Sequence, residues 1–138
     1  MATFTKIQSF TEALAEKVHN LGSDQLKIAL TTNANAPANT DTQLSDLSEI
    51  SYTNLSSRDI TTSSSAQTAG TYKLTLADLT LSASGGAVAT FRWVVLYNDD
   101  ASNDELIGYY DYGSDLTLAD GESLTLDFDG SGGALTIA

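Results

Sequence analysis

The chain has no cysteine and only one proline, one tryptophan and one histidine (His19) in 138 residues. Without cysteine there is no disulfide framework, no thiol nucleophile and no thiolate metal site. With one histidine, the usual neutral-pH base exists at a single position. Basic residues are scarce too: six Lys and Arg stand against 18 Asp and Glu, a formal net charge of −12. A surface this acidic repels phosphate and anionic headgroups, which argues against nucleic acid and membrane as partners. Long apolar runs are also missing. No stretch approaches the ~20 residues that span a bilayer. The opening MATFTKIQSF carries no apolar core of the secretory type.

What the chain does have is strand chemistry. It holds 16 Ser and 18 Thr; Thr favours strands, and Ser favours turns and caps. Its length fits one domain, and a chain of this size buries roughly two-thirds of its unfolded surface, enough to fold without covalent staples.

Periodicity predicts one helix, Ser9–Asn20. Phe10, Ala13, Leu14, Val18 and Leu21 form its apolar face. Ser9 and Glu12 have capping-box spacing, and Gly22 is placed to end it in a left-handed conformation. Gln25–Thr32 alternates as a half-buried strand, with Lys27, Ala29 and Thr31 outward. Asn33–Gln43 reads as a surface loop, Leu44–Ile50 as at most a helical turn, Arg58–Thr62 as an edge strand and Ser63–Gly70 as a mobile loop. Tyr72–Leu76 and Leu79–Leu81 alternate in opposite phase, which predicts a bulge or sheet-switching corner at Ala77–Asp78. Phe91–Tyr97 is apolar on both faces and reads as the central strand. Leu106–Tyr110 follows the acidic loop Asn98–Glu105. Asp120–Gly121 signals a hairpin between Leu116–Ala119 and Glu122–Phe128, and Ala134–Ile137 is the last strand. The expected fold is mainly β: a single-domain antiparallel β-sandwich or small jelly-roll-like barrel with one N-terminal α-helix. An N-terminal arm, residues 1–8, precedes a β-rich domain, residues 9–138.

Candidate chemistry is thin. His19 lies one turn after Glu16 and is expected to pair with it near the helix C-terminus. Asp127, Asp129, Ser131 and Gly132 match the first half of a calcium-loop pattern, but its twelfth position is Ala138 instead of a bidentate Glu. Alternation puts Phe128 in the core and both carboxylates outside. The oxygen-rich loop Asn98–Glu105 reads as a turn between strands. Tyr109, Tyr110 and Tyr112 cluster beside it, and alternation buries at least one of the first two. No catalytic, cofactor or metal residue is assigned. In the arm, Phe4, Lys6 and Ile7 are the candidate interface residues. Such an arm either docks on its own domain or crosses to a neighbouring subunit.

The segments FTEALAEKVHNLGSDQLKIALT, LSDLSEI, SSSAQTAGTYKLTLADLTLSASGGAVATFRWVVLYND and LIGYYDYGSDLTLADGESLTLDFDGSGGALTIA together resemble a family of small virion structural proteins of tailed bacteriophages. The likeness runs over nearly the whole chain. Its most specific parts are Glu12–Leu30 and the ending ADGESLTLDFDGSGGALTIA. The resemblance implies a non-enzymatic particle component and transfers no residue role. The expectation drawn from it is a capsid decoration (cement) protein on the outer surface of the virion head. Its partners would be the major capsid protein and its own copies, as a homotrimer. The alternatives are a tail or fibre component with receptor-binding capacity, and a small hydrolase working through the acidic loops.

Overall fold

The computed structural model describes residues 3–138. In chain order its elements are β1 (Phe4–Lys6), α1 (Phe10–Ala15), β2 (Leu26–Thr31), β3 (Asp59–Ile60), β4 (Thr62–Thr68), β5 (Thr71–Leu76), β6 (Leu79–Ser82), β7 (Phe91–Asn98), β8 (Leu106–Leu116), β9 (Ser123–Leu126) and β10 (Leu135–Ile137). The fold is mainly β, a single sandwich- or barrel-like domain with antiparallel sheets and one short N-terminal helix. The sheet orders are β1-β8-β7-β2-β3, β10-β5-β4 and β6-β9.

As its apolar run requires, β7 lies at the centre of the five-stranded sheet. Val94 and Leu96 are buried on one face, Val95 and Tyr97 on the other. Its partner β2 departs from the half-buried expectation: Ala29 and Thr31, on the predicted outward side, are fully buried. The reason is the path of residues 33–58, which return along the sheet instead of looping away. Backbone bonds tie this segment down from Gln8 N–H to Asn39 O, from Leu106 N–H to Thr42 O and from Ile50 N–H to Leu30 O. Leu44, Leu47, Ile50 and Tyr52 thereby pack against the core. One helical turn, Leu44–Asp46, forms where the sequence hinted at it.

The outer edge of β2 is sealed by a mixture of backbone and side-chain groups: the Ile28 N–H donates to Arg58 O at 3.2 Å and Thr31 bridges to Glu49. β3 pairs only with Leu26 and Lys27. Beyond it, the Arg58 guanidinium donates to Ile28 O at 2.8 Å, and the Leu30 N–H donates to the Tyr52 hydroxyl oxygen at 3.0 Å. That hydroxyl in turn donates to Glu49 Oε1 at 2.6 Å. Arg58 lies 3.7 Å over the Tyr52 ring, a cation–π contact. Burial and then the bond to Glu49 hold the Tyr52 phenol well above its ordinary pKa.

Three expectations require correction. Ser63–Gly70 is not a mobile loop, because Thr62–Thr68 is strand β4, paired with β5. The Asp120–Gly121 turn forms, but its arms do not pair with each other: β9 pairs with β6, and Leu118 O accepts from Val88 N–H. Helix α1 is shorter than its apolar period. Ser9 is itself in the helical region, so its side chain makes no cap, and Lys17 (φ 69°) takes the left-handed position predicted for Gly22. The corner at Ala77–Asp78 is confirmed, since β5 and β6 belong to different sheets.

Of the two placements expected for the arm of residues 1–8, its described residues take the first and dock on their own domain; Met1 and Ala2 lie outside the described residues. β1 is an edge strand of the main sheet, with Phe4 opposite Tyr110 and Lys6 opposite Gly108. The Phe4 ring sits 5.2 Å from the Tyr110 ring and lies over Gly108, where a Cβ would collide with it. Ile7 is fully buried, with its N–H on Ile107 O at 3.0 Å. Within this fold Ile7 is core and offers nothing to a partner; Phe4 is half-buried and Lys6 exposed. Truncating Ile7 to Ala should cost about 2–5 kcal/mol, and Gly108→Ala, which evicts Phe4, about 1–3 kcal/mol. Urea unfolding checks both, with Lys6→Ala, expected within about 0.5 kcal/mol of wild type, as control. Wild-type stability for Ile7→Ala would mean that β1 and Ile7 do not dock as described.

Candidate functional site

His19 does not pair with Glu16. The chain turns at Lys17 and drops the imidazole into the core beside Phe10, with ring centroids 5.2 Å apart. Only 5% of the residue is exposed. Its Nδ1 lies 3.0 Å from Asn98 Nδ2, and the same amide donates to Asp24 Oδ2 at 2.7 Å. Asn98 Oδ1 accepts from the Asp100 N–H at 3.0 Å. The Asn98 amide is thus fixed at both ends, and its donation to Nδ1 sets the Nε2–H tautomer. Nε2 is buried without a partner. The one lone pair that a histidine base would use is therefore occupied. Burial lowers the His19 pKa, and the carboxylates of Glu105 and Asp24 oppose that shift.

A cleft of about 530 Å³ opens beside this network. It is bordered by Lys17, His19, Asp24, Tyr72, Asp100 and Ile137. Its one exposed-side hydroxyl pair, Ser65 Oγ and Tyr72 Oη, is closed on itself at 2.8 Å. The cleft mixes both signs of charge and presents no nucleophile–base pair.

The acidic segments turn out to be turn-formers. In Asn98–Glu105, Asp100 Oδ2 accepts the Gln25 N–H at 2.8 Å, and Glu105 accepts from both the Asn103 N–H and its amide. Asp99 sits 3.7 Å from Lys27 Nζ. In the second segment Asp127 Oδ1 accepts the Asp129 N–H at 2.8 Å. Asp129 Oδ1 accepts from Ser131 Oγ and from the Gly132 N–H, which holds its carboxyl below the usual range. Phe128 between them is buried, as alternation required. Asp46 likewise takes the Thr42 and Gln43 N–H groups and is lowered in pKa by them. Among the described residues no group of three or more His, Asp or Glu is arranged to hold a metal ion.

No family model, curated protein or solved structure matches the chain.

Of the three tyrosines, Tyr109 meets Trp93 edge-on at 5.8 Å and Tyr110 lies 6.0 Å from Phe128. Both are half-buried, so neither is wholly core. Tyr112 is 45% exposed. It stands out because Trp93 pairs with Asp111 whereas Phe91 pairs with Leu116. Residues 112–115 have no matching residues across the ladder and project from it. Arg92 anchors the base of this projection through a two-bond pair with Asp111, at 2.8 and 3.0 Å. Strand periodicity identified the tyrosines; the projection, which needs the register with β7, left no signal in the sequence.

The His19 network makes stability depend on pH with a definite sign. The unfolded chain binds a proton near the ordinary histidine pKa of about 6.5, while the folded chain resists it to lower pH. Stability is therefore full above that value and falls as pH drops through it toward the folded pKa. Urea unfolding between pH 7.5 and 5 should show this decline, and His19→Gln should flatten it. An unchanged slope in the variant would place the titration elsewhere.

Proposed function

We propose that the protein is a capsid decoration protein: a non-enzymatic component that binds the outer surface of a phage head and bridges its major capsid protein. It would act as a homo-oligomer, a trimer. The resemblance of the chain to virion structural proteins supports the particle. The net charge of −12 favours the outside of a shell over a DNA-filled lumen.

The observation that carries the reading is β4. It forms the edge of its sheet, and its residues from Ser63 to Thr68 are all exposed. No charged residue and no proline occur from Ile60 to Tyr72. Among the described residues, Ser63–Thr68 makes no backbone hydrogen bond outside its pairing with β5. Exposed edges are normally guarded by lysine, proline, a bulge or a covering element; β4 has a register shift at its start, Thr62–Ser64, and none along Ser64–Thr68. The neutral, regularly paired stretch Ser64–Thr68 on an otherwise acidic protein fits addition to a partner's strand without like-charge repulsion. Several such contacts per oligomer would bind a repetitive shell by avidity.

A charge placed on this edge should weaken binding while sparing the fold. Ala66→Lys is expected to bind shells of the major capsid protein about tenfold more weakly, read as occupancy in a pelleting titration. Its unfolding midpoint should match the parent protein. Unchanged occupancy would remove β4 from the contact.

A further inference from the structure

Between β8 and the stretch that follows β9 lies a cavity of about 170 Å³, lined by Val94, Tyr110, Leu126 and Phe128, with Tyr112, Thr125 and Asp127 around them. Its walls are almost wholly apolar. An apolar cavity of about 150 Å³ is large enough to hold a benzene-sized guest, so this one has room for an aliphatic stem of four or five atoms. The slot arises from the register. The projection at 112–115 carries Tyr112 to its rim, while β9 ends at Leu126, opposite Leu79.

The polar groups around it have one character. Asp127 lies in the lining, and one of its carboxylate oxygens holds the Asp129 N–H at 2.8 Å. Asp129 is close enough that, after burial, it and Asp127 are the causes that push the Tyr110 phenol up to about 12. Neither Tyr110 nor Tyr112 directs its hydroxyl to another side chain or to the backbone among the described residues. Of the nearest cations, Arg92 is committed to Asp111 and Asn33, and Lys73 to Ser131 O at 3.1 Å. The slot thus combines an apolar throat, two tyrosine side chains and the Asp127 carboxylate, with no cation of its own in its lining.

We propose that this slot is a binding site for a lysine or arginine side chain of a partner protein. The aliphatic stem packs between Tyr110, Leu126 and Phe128, and the cationic head meets Asp127 at the rim. The chemistry is that of an amphipathic cation, whose methylene stem buries while its charge stays near water. Tyrosine faces add cation–π attraction. A carboxylate at the mouth discriminates against an acidic partner by direct repulsion. The site is separate from β4 and does not depend on the capsid reading.

The test is an amide NMR titration of the full chain with Nα-acetyl-lysinamide. The comparison ligands are Nα-acetyl-norleucinamide, which keeps the stem without the charge, and butyrate, which reverses the charge. The lysine probe should give saturable shifts confined to Val94 and residues 110–112 and 125–128, in the millimolar range. The norleucine probe should bind there at least threefold more weakly, and butyrate should give no saturable shift. Asp127→Asn, whose side-chain oxygen still accepts the Asp129 N–H, should bring the lysine and norleucine affinities together. Equal affinity for the two probes in the parent protein, butyrate binding at the same residues, or no saturable shift there would each overturn the proposal.

Discussion

Everything in this fold depends on a backbone constraint: β2 and β7 are buried on both faces, so every N–H and C=O along them needs a partner inside the protein. An unpaired buried amide costs about 1–3 kcal/mol, a large share of the stability of a domain this size. β7 meets the constraint simply, by standing between β8 and β2. β2 does not, because β3 covers only two of its residues. The Arg58 carbonyl and guanidinium, the Tyr52 hydroxyl and the Ile50 amide continue the row. The long segment of residues 33–58 is therefore part of the sheet's closure, which explains why so polar a stretch packs along the sheet.

The same economy governs the acidic residues. Asp46, Asp127, Asp129 and Glu105 each accept backbone N–H groups of a turn, and Asp100 ties its loop to the Gln25 N–H before β2. A chain without cysteine and with one proline uses carboxylates to pin its loops, and its negative charge follows from that. His19 belongs to this scheme as well. Its ring fills core space beside Phe10 and accepts from an amide that also holds Asp24. Two surfaces among the described residues stand out beside the His19 cleft: the neutral edge of β4, and the slot under Tyr112 with Asp127 in its lining. Both are suited to holding another protein.

The sequence made part of this legible. β5, β6, β7 and β10 each alternate, or are apolar throughout, as their positions demand, and the phase flip at Ala77–Asp78 does mark a change of sheet. β4 was invisible because a strand exposed on both faces has no hydrophobic period. The Asp120–Gly121 signal located a turn but not the partners of its arms, which lie at β6 and Val88. Ile7 looked like a free apolar residue because nothing local shows that β8 is waiting for β1. The candidate surfaces were the least legible. The slot needs a register mismatch across β7 and β8 together with the end of β9, and no local pattern encodes either.

As a capsid decoration protein, the reading proposed above, this protein would work by its surfaces, in many copies, on a shell. The most direct measurement is its copy number in purified particles, by quantitative mass spectrometry against the major capsid protein. The account predicts a ratio near one per capsid subunit. A handful of copies per particle would place the protein in the tail or fibre, and absence from particles would contradict the virion reading altogether.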